Sequence, residues 1–444
     1  MDQNALHLIN RSSFGPKLDW IEVGNNSHII QNLNVAQKWL FDSLEVYEPL
    51  VDSDCLDLSA EQKKEYFRLK KQDPTEAMVA DWLAKMVGDN NNLREVSALF
   101  WHHHIPCTKG NDRFRHSRLL LELYRKYSLE DLRTLLIKVS ENPAMMYMLD
   151  GHHSHKSNPN ENFPRELLEL YTLGSNNFST KDVKEVARAY TGRRFDHYNY
   201  PYKMFVDMAA FDDGEKIIFG KKGKWSGNDV IDLILDQPDT SRHITKSALI
   251  FFLGKIPKRD VLDKCSKIYF ESGYNFKELL KSIFLSSWFY EDEYKMNKVK
   301  TPVELLVGFQ RKTGLRCNGI KTTNYFLKSC GQRLFYPPNI SGWPYGNGWL
   351  YGEALVNRVF LPGAYLQIAN RNHSRSTLIY KLTSRVNRND LRGIRYIADC
   401  TFDKNHFLKV IADSGVYASY WINGLNKDGN DLVSIFRNPK HQYS

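Results

Sequence analysis

PTEAMVADWLAKMVG (74–88) and NLREVSALFWHHH (92–104), separated by Asp89-Asn90-Asn91, decide the fold class of this chain. In both, apolar side chains return at three- and four-residue steps, the period that lays one face of a helix on a core. Pro74 suits a first helical turn, where its missing N–H is not needed. The same period runs outward through VAQKWLFDSL (35–44), HSRLLLELYRKYS (116–128) and LEDLRTLLIKVS (129–140). Asn142-Pro143 reads as an N-cap and first-turn proline opening PAMMYMLD, with Gly151 as its stop. Further helices are expected at 164–173, at 180–191 behind the capping signal Ser179-Thr180, at 226–236, 239–253, 259–272, 276–287 and 301–314, and again through 353–437.

Two segments break the pattern. FDHYNYPYKMFVDMA (195–209) and EKIIFGKK (215–222) read as a short hairpin turning at Asp212-Asp213-Gly214. FYPPNISGWPYGNGWLYG (335–352) is too rich in proline and glycine for a helix. The expected architecture is therefore mainly α, a large multi-helix globular fold with a short β-hairpin insertion around 195–222. Its division is read as a helical core over 1–300 and a C-terminal helical part over 301–444 packed on it, with one single domain as the other division.

With 444 residues, 42% hydrophobic and 25% charged, the composition is that of an ordinary globular protein. A net charge of +10 favours anionic partners, but the basic residues are spread along the chain and carry no nucleic-acid recognition signature. Six cysteines, none in a CxxC pair, speak against a structural zinc site and for buried thiols, with Cys317 and Cys330 the closest pair in sequence. No run reaches the roughly 20 apolar residues of a membrane span. The start MDQNALHLINRSSFGP lacks a basic and apolar leader. That points to a cytoplasmic protein, or to a periplasmic or exported one whose leader has been removed. There is no GxSxG, GxGxxG or P-loop, so neither an α/β-hydrolase serine nor nucleotide use is indicated.

Chemistry concentrates in DGHHSHKSNPNENFPRELLELYTLGSNNFSTKDVKEVARAYTG (150–192). Pro164 must lie in a first turn, so Asn160 or Asn162 can accept from the free backbone N–H groups there. Glu161 can fold back towards Arg165 one turn on. Capping needs only one of the two asparagines, which leaves the rest of NENFPRE for a polar site. His152, His153 and His155 offer metal-ligand atoms beside Asp150 and Glu161, but adjacent residues on a helix point about 100° apart. A histidine-bearing surface loop is the plainer reading. Trp343, Tyr345 and Trp349 on a glycine-rich loop read either as stacking surfaces or as side chains tucked onto the core.

Long motifs in consistent order resemble the bacterial family known as domain of unknown function 1800 over nearly the whole chain. They are HLINRSSFGP (7–16), FWHHHIP (100–106), NPAMMYMLD (142–150), NENFPRELLELYTLG (160–174), DVKEVARAYTG (182–192), SSWFY (286–290), VKTPVELLVG (299–308) and GQRLFYPPNISGWPYGNGWL (331–350). The resemblance implies a helical, commonly exported protein with a sulfatase-like or phosphatase-like companion, and brings no activity to carry over. It marks His104, Asp150, Asn160, Glu161, Asn162, Arg165, Glu166, Glu169 and Arg188 as signature positions. Relative to it, Gly151 replaces an asparagine, the histidines at 152, 153 and 155 are extra, Arg193 replaces a tryptophan, and Phe211 stands in FDDGEKIIFG where a histidine is common.

Two functional readings follow. In the first, an enzyme acts on an anionic, carbohydrate-like substrate. Glu161 or Glu166 serves as general acid or base, Arg165 binds the anionic group and His104 and Asp150 assist. Asn160, Asn162, Arg188, Trp343 and Trp349 contact substrate. In the second, the protein is a non-catalytic accessory or binding protein of an envelope or sulfatase-like partner, and NENFPRE is a structural network. A metal-dependent oxidoreductase built on His104 and acidic ligands, with a divalent metal as cofactor, is a third.

Overall fold

Capping chemistry sets the helix boundaries. Asn142 accepts from the Ala144 N–H and Pro143 opens the helix Pro143–Met148. Ser179 and Asp182 form a reciprocal capping box at the start of Thr180–Ala189. Asp131 accepts from the Thr134 N–H and starts Leu132–Ser140 there, so 129–131 is a turn rather than a first helical turn. The computed structural model describes residues 2–21, 27–44, 47–49, 68, 71–72, 74–107, 114–196, 203–295, 297–313, 320–350, 354–355 and 357–358. Nearly all of the helical expectation over 353–437 falls outside these, as do Cys55, Cys317 and Cys400; Cys107, Cys265 and Cys330 are buried.

The expected helices appear as Leu33–Asp42, Pro74–Gly88, Leu93–His104, Phe114–Tyr127, Gly227–Leu235, Pro238–Leu253, Arg259–Glu271, Phe276–Phe284 and Pro302–Thr313. Two more, Gln3–Ser12 and Ile320–Ser329, were not legible as apolar stripes. Gln3–Ser12 buries His7, Asn10, Arg11 and Ser12 along with its apolar residues, so its inward side is polar in composition. Its start is fixed by Asp2, whose carboxylate accepts from the Asn4 and Ala5 N–H groups.

Pro238–Leu253 packs on Arg259–Glu271, which packs on Phe276–Phe284, and Leu93–His104 packs on Phe114–Tyr127. Pro74–Gly88 meets both Pro302–Thr313 and Ile320–Ser329. One hydrophobic cluster runs from Ala5 through Trp82, Phe100, Leu168 and Phe252 to Phe309 and Phe335. A buried ion pair ties three of these helices. Arg125 Nε and Nη2 donate to Glu95 at 2.9–3.1 Å, and Trp82 Nε1 donates to the same carboxylate at 2.8 Å.

The β insertion is two hairpins rather than one. Arg193–Phe195 pairs antiparallel with Met204–Val206, and Lys216–Ile218 with Lys221–Gly223. Asp212-Asp213-Gly214 links the two hairpins instead of turning one of them. The reason is local: the Asp212 carboxylate accepts from Arg188 and from the Gly214 N–H, which pulls this turn onto the helix Thr180–Ala189. Helix Pro143–Met148 likewise ends before Gly151. Asp150 takes the left-handed conformation (φ 55°), which a short hydrogen-bonding side chain tolerates better than most. Among the described residues, no helix is long and apolar enough to cross a membrane.

Candidate functional site

The polar loop after Asp150 enters the helix Asn162–Glu166 through two side chains. The Ser154 hydroxyl accepts from the Asn160 N–H at 3.1 Å, and the Asn160 Oδ1 accepts from the Asn162 N–H at 2.8 Å. Asn160 thus supports the turn into the helix, whose N-cap is Glu161 without a side-chain cap bond, and Asn162 is exposed. The helix starts two residues before Pro164. Arg165 Nη2 donates to Glu161 at 2.9 Å, with the two side chains 42% and 35% exposed. A pair that open to water contributes only a few tenths of a kcal/mol. Its residues are presented at the surface rather than buried in a mutual network.

Beyond Glu166 the chain widens into a π-helix, Leu167–Thr172, a geometry often found at functional sites. Two histidines stabilise its far end. His243 Nε2 lies 2.9 Å from the Leu170 carbonyl, and His104 Nε2 lies 3.1 Å from the Tyr171 carbonyl. Both imidazoles must donate to these oxygens. Burial, and next the neighbouring His243, push His104 down to about 3, so it stays neutral. Gly174, at φ +80°, is needed here because a Cβ would sit 2.7 Å from His243 Nδ1. His104 therefore fixes backbone at the end of the segment opposite the Glu161–Arg165 pair. Glu166 is partly buried; burial, then Glu169, raise its carboxyl above the usual range while Arg165 opposes. Glu169 accepts from the Ser175 hydroxyl at 3.1 Å.

The other candidates disperse. Asp150 is exposed in its left-handed turn. Arg188 is fully engaged: it donates to both Asp212 oxygens (2.7 and 3.2 Å), to Glu185 (2.9 and 3.1 Å) and to the Glu215 carbonyl. It clamps the second hairpin. Trp343 and Trp349 are buried, with the Trp343 ring 5.1 Å from that of His102, so neither offers a ring face to a sugar. Their loop is tucked onto the core. Among the described residues, no three His, Cys, Asp or Glu side chains come together as a metal site. His152 Nδ1 instead meets the Met146 carbonyl, and His155 Nδ1 meets the Ser157 hydroxyl.

The ordered motifs find their counterpart in a family model described as "Protein of unknown function (DUF1800)", which matches residues 7–409. The chain belongs to the DUF1800 family. No curated protein and no solved structure matches it.

Within this DUF1800 member, the residue after the DVKEVARAYTG element, Arg193, lines a recess together with Ser154 and Asn160. Arg193 is 6% exposed and opens the first hairpin. Its Nη1 donates to the Ser140 hydroxyl at 2.8 Å, its Nη2 to Asn228 Oδ1 at 3.3 Å, and its guanidinium lies 4.3 Å over the Tyr190 ring. Burial holds it below the usual arginine range. Among the described residues, no carboxylate forms an ion pair with it. Space for it comes from Gly227, where a Cβ would fall 2.2 Å from Nη2. With Ser154 and Asn160 it lines a small recess bounded also by Met146, Phe163 and Pro164. The sequence signal was present as the arginine in place of tryptophan, but nothing local to residue 193 shows that it would be buried beside Asn160.

Proposed function

We propose that this protein is a binding protein that recognises an acidic, carbohydrate-like ligand on the surface formed by Asn160–Glu166 and the recess beside it. The observation that carries this reading is exposure: Glu161, Asn162 and Arg165 present planar hydrogen-bonding groups to solvent on the segment whose Asn160, Phe163 and Pro164 line a donor-bearing recess. Such groups suit hydroxyl and carboxylate recognition. The residues expected to assist chemistry support it indirectly, because His104, Arg188, Trp343 and Trp349 are engaged elsewhere.

The test is retention of the purified protein on immobilised acidic and neutral oligosaccharides. Acidic ones are retained, and the Asn162→Ala/Arg165→Ala variant loses that retention with an unchanged melting temperature. Equal retention of neutral and acidic ligands, or full retention by the variant, overturns the reading. One observation favours catalysis instead: the raised Glu166 carboxyl, suited to a general acid. That reading requires hydrolysis of an acidic oligosaccharide that Glu166→Gln abolishes.

A further inference from the structure

We infer that the recess lined by Arg193, Asn160 and Ser154 is a carboxylate site, the point where the acidic group of a ligand is held. It rests on the binding reading above for the ligand's remainder, but its own argument is the donor balance of the recess.

A guanidinium removed from water is costly unless opposite charge or full hydrogen bonding compensates it. Here the compensation is partial. Three neutral oxygens, the Ser140 hydroxyl, the Ser140 carbonyl at 3.5 Å and Asn228 Oδ1, face Arg193 together with the Tyr190 ring; Glu141 acts on it from a distance, but among the described residues no carboxylate forms an ion pair with it. The groups that line the recess with it add donors, and none of them is a carboxylate. Ser154 Oγ already accepts from the Asn160 N–H, which leaves its own proton to donate. Asn160 Oδ1 is occupied by the Asn162 N–H, which leaves the amide NH₂. The recess thus offers a cation, an amide N–H and a hydroxyl, and its polar lining contains no acid.

Size and charge narrow the class. The recess is small, so a ligand enters by its acidic head and leaves its body on the Asn160–Glu166 face. A single positive charge over a floor of Met146, Phe163 and Pro164 balances a monoanion, whereas a dianionic phosphate would bring an unpaired charge out of water. A planar carboxylate fits both limits. Two sources share that chemistry, a uronic acid and a peptide-type carboxylate, and the ligands of the experiment separate them.

The experiment is calorimetric titration of the full chain at low ionic strength with D-glucuronate, N-acetylglycine, inorganic phosphate and D-glucose. Carboxylate binding is expected, with phosphate weaker and glucose absent; glucuronate above N-acetylglycine assigns the uronic acid. Arg193→Gln should weaken it by about tenfold or more, the scale of a lost charge-assisted contact. Arg193 also carries structural bonds, so Asn160→Ala provides a second variant that leaves the guanidinium in place and should weaken binding by a smaller factor. Carboxylate binding untouched by both variants, or phosphate binding tighter than carboxylate, overturns the inference. If glucuronate binds through Arg193 but the Asn162→Ala/Arg165→Ala variant retains acidic oligosaccharides fully, the face reading fails and the recess stands. If acidic oligosaccharides need Arg165 but not Arg193, the reverse holds.

Discussion

Lowering the pH from 7.5 to 5.5 should unfold this protein or bring it close to unfolding. His7, His102, His103 and His104 are all under a tenth exposed. Burial is the main cause that holds His102, His103 and His104 at about 3, and burial followed by Arg11 holds His7 well below its ordinary value. The groups facing them add no carboxylate: His7 meets Arg11 and Lys295, and His103 meets His102 and Lys298. Each histidine takes up a proton near pH 6.5 in the unfolded chain and cannot do so in the folded one. Stability is therefore full above pH 6.5 and is lost progressively as the pH falls from there towards 3. Between pH 7.5 and 5.5 one such group costs about 1.4 kcal/mol, so four cost about 5 kcal/mol, comparable with the roughly 5–15 kcal/mol of a whole domain. Equilibrium urea unfolding followed by tryptophan fluorescence at the two pH values measures the drop. A loss below about 1 kcal/mol would show instead that these rings titrate normally in the fold. His103→Phe is the control. Both its ring nitrogens lack a partner, so the apolar ring should be tolerated and should remove about one proton from the pH dependence.

Three other outcomes follow from the same structure. Arg125→Met strands the buried Glu95 carboxylate and should cost about 3–5 kcal/mol in chemical denaturation, with no effect of added salt. His104→Phe removes the donor to the Tyr171 carbonyl; it should cost about 1–3 kcal/mol and accelerate amide hydrogen exchange across 167–173 before other segments. Arg188→Ala releases Asp212 and the Glu215 carbonyl; it should cost about 1–2 kcal/mol, allowing for its partial exposure, with exchange rising first in 215–223.

What the sequence made legible was what a short window contains. Helical periodicity located Pro74–Gly88 and Leu93–His104, and cap residues such as Asn142 and Ser179 placed starts correctly. Gln3–Ser12 escaped because its buried side includes His7 and Arg11, which a hydropathy pattern scores as exposed. The second hairpin escaped because the Asp212 turn is shaped by Arg188, 24 residues earlier. The candidate site shows the same limit. The Glu161–Arg165 pair lies within one turn and could be anticipated. That His104 would serve the backbone of residue 171, or that Arg193 would share a recess with Asn160, depends on contacts across the fold.

On the binding proposal, a ligand sits on the Asn160–Glu166 face and in the recess beside it. Hydrogen–deuterium exchange of the full chain, with and without a saturating uronic-acid oligosaccharide, tests it most directly. New protection is expected in 150–166 and 190–196 and none in 335–350. Protection confined to the 335–350 loop, or no protection anywhere, would contradict it.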